Sequence, residues 1–109
     1  MQISELQNKV HSLAKAKGWW DNPNPNFPEK LALVHAELSE ALEDYRNDLD
    51  INATTYNNGK PEGIPSELAD VVIRVLDMCG YYGIDLEKIM IEKHQYNESR
   101  PFRHGGKKA

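Results

Sequence analysis

Residues 65–83 read PSELADVVIRVLDMCGYYG, and this stretch decides the fold class of the chain. Its apolar residues recur at spacings of three and four, which is the period of one face of an α-helix. They are Leu68, Val71, Val72, Val75, Cys79 and Tyr82. Pro65 suits the first turn of a helix, and Gly83 suits the position just after its last turn. The stretch therefore predicts the most apolar and most buried helix of the protein, with Cys79 as a small buried side chain.

The same period recurs before this helix. An apolar stripe predicts a long helix that opens at Pro28 and runs for roughly 22 residues. Its members are Leu31, Val34, Leu38, Leu42, Tyr45 and Leu49. Near the N-terminus, Ile3, Leu6, Val10 and Leu13 predict a shorter helix that ends near Gly18. Two helices thus precede residues 65–83.

A fourth helix is predicted from an N-cap at Asp85 to about Arg100, where Pro101 prevents continuation. Residues 18–29 and 50–64 are rich in Asn, Gly and Pro, so we expect two long loops without regular structure. No strand-like alternation is visible. The expected fold is all-α and four-helix bundle-like, with long loops and a flexible basic C-terminal tail over residues 102–109.

Length and composition favour one soluble domain spanning residues 1–109. Apolar residues make up 39% of the chain and charged residues 28%, which is ordinary globular usage. The N-terminus does not resemble a secretory signal, and a single cysteine cannot form an internal disulfide, so we expect a cytoplasmic protein. The net charge is −4, although the last ten residues carry four Lys/Arg and no acid. An acidic body argues against binding of duplex nucleic acid.

Two pairs of carboxylates lie at helical spacing of three: Glu37 with Glu40, and Glu67 with Asp70. Acid pairs at this spacing are no more frequent than chance predicts. Only their positions on the helices can therefore indicate a site. Each pair lies to the same side of its helix's apolar stripe, and antiparallel packing of the two helices would gather all four acids at one edge. Such a group of oxygen ligands suits Mg²⁺, with Mn²⁺ possible. Asp44 and Asp77 extend the acidic edges, and we expect them to be solvated rather than ligating.

The fourth helix offers the complementary charge. Its apolar face turns polar partway, continuing as Lys93, Tyr96, Asn97 and Arg100. Either this end of the helix emerges into solvent, or Lys93 and Arg100 contact phosphate oxygens while Tyr96 and Asn97 bind sugar or phosphate.

ELSE at residues 37–40, 26 intervening residues, ELAD at 67–70 and KHQYNESRPFRHGGKK from Lys93 together resemble the MazG-like nucleotide pyrophosphohydrolases, members of the all-α NTP pyrophosphatase superfamily. The match covers nearly the whole chain. The resemblance implies Mg²⁺-dependent cleavage of a nucleoside triphosphate between its α and β phosphates, giving the monophosphate and pyrophosphate.

The resemblance also implies residue roles. The metal ligands would be Glu37, Glu40, Glu67 and Asp70. Glu40 and Glu37 are the candidate catalytic residues, with Glu40 expected to orient or deprotonate the attacking water. The implied nucleotide-binding residues are Lys93, Tyr96, Asn97, Arg100, Trp19 and Trp20, with Trp19 or Trp20 stacking on the base.

Other interpretations stay open at this point. A non-catalytic helical adaptor would use the acidic face to bind a partner protein. Within the enzymes, a hydrolase specific for dUTP or dCTP, or a phosphoribosyl-ATP hydrolase, fits the same motifs. Because four helices form a small core, we expect a homodimer or homotetramer.

Overall fold

The computed structural model describes residues 1–101, so the predicted tail at 102–109 lies outside the described residues. Four α-helices carry the fold: α1 (Ile3–Ala16), α2 (Phe27–Arg46), α3 (Ile64–Tyr82) and α4 (Leu86–Ser99). A small hairpin of β1 (Thr55–Asn57) and β2 (Lys60–Glu62) lies between α2 and α3. The predicted all-α, four-helix bundle-like fold is confirmed. Within the described residues, no helix is both long and apolar enough to cross a membrane.

Local sequence signals set the helix ends. Asn26 caps α2 by accepting a hydrogen bond from the backbone N–H of Glu29 at 3.2 Å, and Pro28 occupies the first turn. Asp85 caps α4 in the same way, accepting from the N–H of Lys88 at 3.1 Å. Gly83 ends α3 with a left-handed φ of 69°, which a residue without Cβ adopts at little cost. The predicted bounds of the helices therefore agree with the structure to within a few residues.

The expectation of an irregular loop over residues 50–64 is wrong where the hairpin forms. Thr55 pairs with Glu62, and Asn57 pairs with Lys60. The turn between the strands is Asn58-Gly59, with φ of 51° and 82°, values that an Asn-Gly hairpin turn accommodates. Next to the hairpin, a Cβ at Gly63 would lie 2.7 Å from the carbonyl oxygen of Ala53, so glycine allows this close approach at the start of α3.

Helix α3 lies between α1 and α2 and runs antiparallel to both. Glu37 of α2 contacts Arg74, and further along α2 Glu40 lies beside Glu67. On the other side, His11 of α1 contacts Asp77, and the earlier residue Gln7 donates to the carbonyl oxygen of Ile84 just after α3. The buried apolar residues are Ala41, Ile64, Leu76, Met78 and Cys79. Four of these five belong to α3, which confirms the prediction that it is the buried helix and that Cys79 is buried.

The described residues 1–101 leave much of the apolar stripe of α2 uncovered. Leu31, Leu38, Leu42 and Tyr45 are between 42% and 62% exposed. Glu37 instead lies on the side of α2 that faces α3, where it is only 8% exposed. Exposed leucines at spacings of seven and four residues on one helix form a contiguous apolar surface, which is unusual for a monomer. We call this surface the α2 stripe.

Candidate metal centre and adjoining cavity

Antiparallel packing of α2 on α3 gathers carboxylates from both helices. Oxygens of Glu37, Glu67 and Asp70 all lie within 4.8 Å of one another. We call these three residues the acidic cluster. Glu40 is exposed and lies beside Glu67 at the outer edge of the cluster. Of the four predicted ligands, three therefore meet in one group, and the fourth adjoins it.

One carboxylate oxygen of the acidic cluster has no partner among the described residues. Oε2 of Glu67 is buried and has no hydrogen-bond partner among the described residues. Burial, a hydrogen bond with Glu40 and the negative charges of Glu40, Asp70 and Glu37 raise the pKa of Glu67 to about 7. Burial and the neighbouring carboxylates therefore favour the protonated form of Glu67.

The pKa of Asp70 shifts in the same direction. Burial is the largest cause of the raised pKa of Asp70, and the charge of Glu37 raises it further. The positive charges of Arg74 and Lys60 offset part of this rise. Lys60 belongs to the hairpin, so β2 brings a cation near the cluster. No role was predicted for Lys60, because residues 50–64 were expected to form an irregular loop.

Arg74 is the second cation beside the cluster. Its Nε donates a hydrogen bond to Oε1 of Glu37 at 2.8 Å, and both side chains are largely buried. The sequence held a signal for this residue, since Arg74 interrupts the apolar run VVIRVL one helical turn after Asp70. An arginine within a buried helix needs an acidic partner, and Glu37 supplies it.

A cavity of about 410 Å³ opens beside the cluster, a volume within the range of small-ligand sites. Helix α3 forms one wall, and the loop after α1 contributes both tryptophans. Its charged lining residues are Lys17, Lys30, Glu37, Asp70, Arg74 and Asp77, and its apolar ones include Val10, Leu13, Leu33, Ile73 and Met78. The cavity therefore has apolar walls and charged groups from α2, from α3 and from the residue after α1.

The two adjacent tryptophans line this cavity in different ways. Trp20 stacks on Tyr81 with ring centroids 4.0 Å apart and an interplanar angle of 7°, and Nζ of Lys30 lies 4.3 Å from the Trp20 ring centroid. Trp19 is 59% exposed, with the Arg74 guanidinium 5.7 Å from its ring. Trp20 is thus packed against the helices, and Trp19 offers the more accessible ring.

Asp77 differs from expectation. It was expected to be solvated, but its side chain is only 19% exposed. Its Oδ1 accepts hydrogen bonds from Nδ1 of His11 at 2.8 Å and from Nε1 of Trp20 at 2.9 Å. The sequence contained no signal for this arrangement, because its three members come from α1, the following loop and α3. Asp44 is half-buried on α2 and lies outside the acidic cluster.

The predicted binding residues of α4 lie elsewhere in the single chain. Helix α4 packs against the start of α1, where the backbone N–H of Ser4 donates to Oε1 of Glu87 at 3.3 Å. Two of the four predicted residues flank a third: Nζ of Lys93 and the Arg100 guanidinium lie 5.9 and 5.5 Å from the Tyr96 ring centroid. Asn97 is exposed. Within residues 1–101, none of the four lines the cavity or joins the acidic cluster.

No protein-family model, curated protein or solved structure matches this chain, so the resemblance to the MazG-like enzymes rests on the sequence motifs alone.

Proposed function

We propose that this protein is a metal-dependent nucleoside triphosphate pyrophosphohydrolase, which cleaves its substrate between the α and β phosphates. The observation that carries the proposal is the acidic cluster, with its unpartnered buried oxygen on Glu67, beside a cavity with an aromatic wall. The cluster suits a charged phosphate chain only with a cation present, and the cavity suits a nucleoside. The order and spacing of the ELSE and ELAD motifs support the same activity.

The donor set fits Mg²⁺, with Mn²⁺ as the alternative. Carboxylate oxygens are the ligands that these ions prefer, and the buried oxygen of Glu67 lacks any other partner among the described residues. Glu37, Glu67 and Asp70 would hold the ion, with Glu40 as an outer ligand. A bound ion would supply neutralisation of phosphate charge and a lowered pKa for a coordinated water.

The remaining roles fall to residues of the chain itself. Glu40, exposed beside Glu67, is placed to orient the attacking water, with Glu37 as the other candidate. Arg74 donates to Glu37 in the free chain and lines the cavity, so it is available to phosphate oxygens. Trp19 presents an accessible ring for stacking against the base.

We further propose that the protein acts as a homodimer or homotetramer in the cytoplasm, with the α2 stripe in the subunit interface. The exposed leucines of α2 support this assembly, because contact with a second copy would remove them from water. Assembly would also offer a route by which Lys93, Tyr96, Asn97 and Arg100 of one copy approach the acidic cluster of another. Light scattering coupled to size-exclusion chromatography measures the state directly.

A pyrophosphate-release screen tests the activity. All NTPs and dNTPs are compared with Mg²⁺, with Mn²⁺ and with EDTA, and the products are separated to distinguish monophosphate plus pyrophosphate from diphosphate plus phosphate. We expect turnover that needs the metal and that falls by at least about 100-fold in Glu67→Ala and in Asp70→Ala.

The matched control is Glu43→Ala, which removes an exposed carboxylate three residues after Glu40 and should leave the rate unchanged. Circular dichroism establishes that each variant is folded. Full activity in both Glu67→Ala and Asp70→Ala would remove the proposed site. Absence of turnover on every triphosphate would favour the non-catalytic adaptor instead.

A further inference from the structure

Asp77 lines the same cavity as Glu37 and Asp70 of the acidic cluster. It follows Asp70 by seven residues on α3, which places it two helical turns, or about 10 Å, further along the same side of the helix. Both residues line the cavity. That separation is comparable with the length of a nucleoside monophosphate, so phosphate at the acidic cluster would bring the base towards Asp77. The inference that follows rests on the proposed function.

The Asp77 carboxylate is fixed in place and keeps hydrogen-bonding capacity. Nδ1 of His11 and Nε1 of Trp20 both donate to Oδ1. Among residues 1–101, Oδ2 has no hydrogen-bond partner, and an ionised carboxylate has lone pairs for about four donors. The Trp20 ring is itself held by its stack on Tyr81. Asp77 therefore cannot turn away easily, and its second oxygen is not used by these two contacts.

We propose that Asp77 determines base specificity by accepting a hydrogen bond from the amino group on the pairing edge of the base. Cytosine and uracil nucleotides differ there by an amino group against a carbonyl oxygen, so Asp77 would favour cytosine. A carbonyl oxygen placed against the carboxylate would leave two acceptors facing each other with no donor between them. Contacts of this kind discriminate by about 1–3 kcal/mol, which corresponds to a preference of roughly 5- to 150-fold.

Asp77→Asn separates base recognition from structural support. The amide oxygen of asparagine can still accept from His11 and Trp20, while its NH₂ group replaces Oδ2 with a donor. The fold should therefore be retained, and the preference should shift towards uracil, whose carbonyl oxygen accepts from that donor. Trp20→Phe is the companion variant, because it removes one donor to Asp77 and leaves the carboxylate intact. We expect Trp20→Phe to keep the preference for cytosine.

The experiment measures two independent ratios. The first is the ratio of kcat/KM for dCTP and dUTP with Mg²⁺, and the second is the ratio of Kd for dCMP and dUMP, followed by tryptophan fluorescence or calorimetry. We expect the unmodified chain to favour the cytosine nucleotide at least about 5-fold in both ratios. Asp77→Asn should abolish or invert both ratios. Asp21→Asn, at an exposed acid in the loop after α1, is the control and should change neither.

Equal binding of dCMP and dUMP by the unmodified chain overturns the inference, whatever the variant does. An unchanged ratio in folded Asp77→Asn also overturns the inference. An equal loss of preference in Trp20→Phe overturns it too, because Asp77 would then act only by positioning its neighbours. The proposed function fails separately: no pyrophosphate release from any triphosphate refutes the activity, while an Asp77-dependent ratio for the monophosphates would still support recognition of the base.

Discussion

Replacement of Glu67 by glutamine should stabilise the metal-free protein at alkaline pH and have little effect at acidic pH. In the folded chain the pKa of Glu67 is about 7, against 4.5 for an unperturbed glutamate, and burial is the largest cause. At pH values between these two pKa values, Glu67 holds a proton in the folded chain that it has lost in the unfolded chain. The free energy of unfolding therefore decreases as pH rises through this window, and the decrease is complete above pH 7.

The size of the effect follows from the shift. A difference of 2.5 pKa units corresponds to roughly 3 kcal/mol at 25 °C. Water reaches part of the Glu67 side chain and screens its charge, so we expect roughly 1–3 kcal/mol. Glutamine has nearly the same shape and does not ionise, so the variant should lack this decrease. It should unfold at higher urea concentration than the unmodified protein at pH 8, and at a similar concentration at pH 5.

Urea denaturation followed by circular dichroism, at fixed protein concentration with EDTA, measures the difference at both pH values. Glu92→Gln is the control, since it removes an exposed carboxylate of α4, and its difference from the unmodified protein should not depend on pH. Addition of Mn²⁺ at pH 8 should stabilise the unmodified protein more than Glu67→Gln, because the proposed metal site would form only in the folded protein and would bind best when Glu67 is ionised. The reasoning is refuted if the Glu67→Gln difference is the same at pH 5 and pH 8.

Three further predictions concern other parts of the molecule. Gly80→Ala should destabilise the protein by about 1–3 kcal/mol in urea denaturation, because the added Cβ would lie 2.6 Å from Cβ of His11 where α1 crosses α3. A folded variant of unchanged stability would contradict this close approach. Leu42→Glu should reduce the mass measured by light scattering to that of a monomer, and an unchanged oligomer would exclude the α2 stripe from the interface. The thiol of Cys79 should react slowly with a disulfide reagent until urea unfolds the chain, since burial raises its pKa, and rapid reaction under native conditions would contradict its burial.

The helices could be predicted because their signals are local. Apolar spacing of three and four, the caps at Asn26 and Asp85, and Gly83 after α3 each act within a few residues of where they occur. The hairpin was missed because its strands are three residues long and carry no alternating pattern. Its one usable signal was Asn58-Gly59, the dipeptide that favours a tight hairpin turn.

The acidic cluster was partly predictable for a different reason. Spacing of three residues fixes Glu67 and Asp70 on one side of a helix, and antiparallel packing is common for consecutive helices, so a meeting with Glu37 could be anticipated. The contacts of Asp77 could not be predicted from the sequence, because they depend on the position of α1 and of the loop after it. The exposure of the α2 stripe was also invisible, since periodicity identifies an apolar face without indicating what covers it.

The distribution of charge along α3 gives the strongest physical reason to regard this face as a binding surface. Glu67, Asp70, Arg74 and Asp77 follow one another at spacings of three, four and three, so they form one line along the helix, roughly 15 Å long. All four are half-buried on the most buried helix of the protein, where an apolar residue would cost nothing to desolvate. Stability alone does not account for charged groups in this position, because apolar residues of similar volume stabilise a helix interface at least as well. Under the proposed function, a long ligand with phosphate at one end and a hydrogen-bond donor at the other would account for them. The acids near the start of α3 would hold its cation, Arg74 would face its negative charge, and Asp77 would accept its donor.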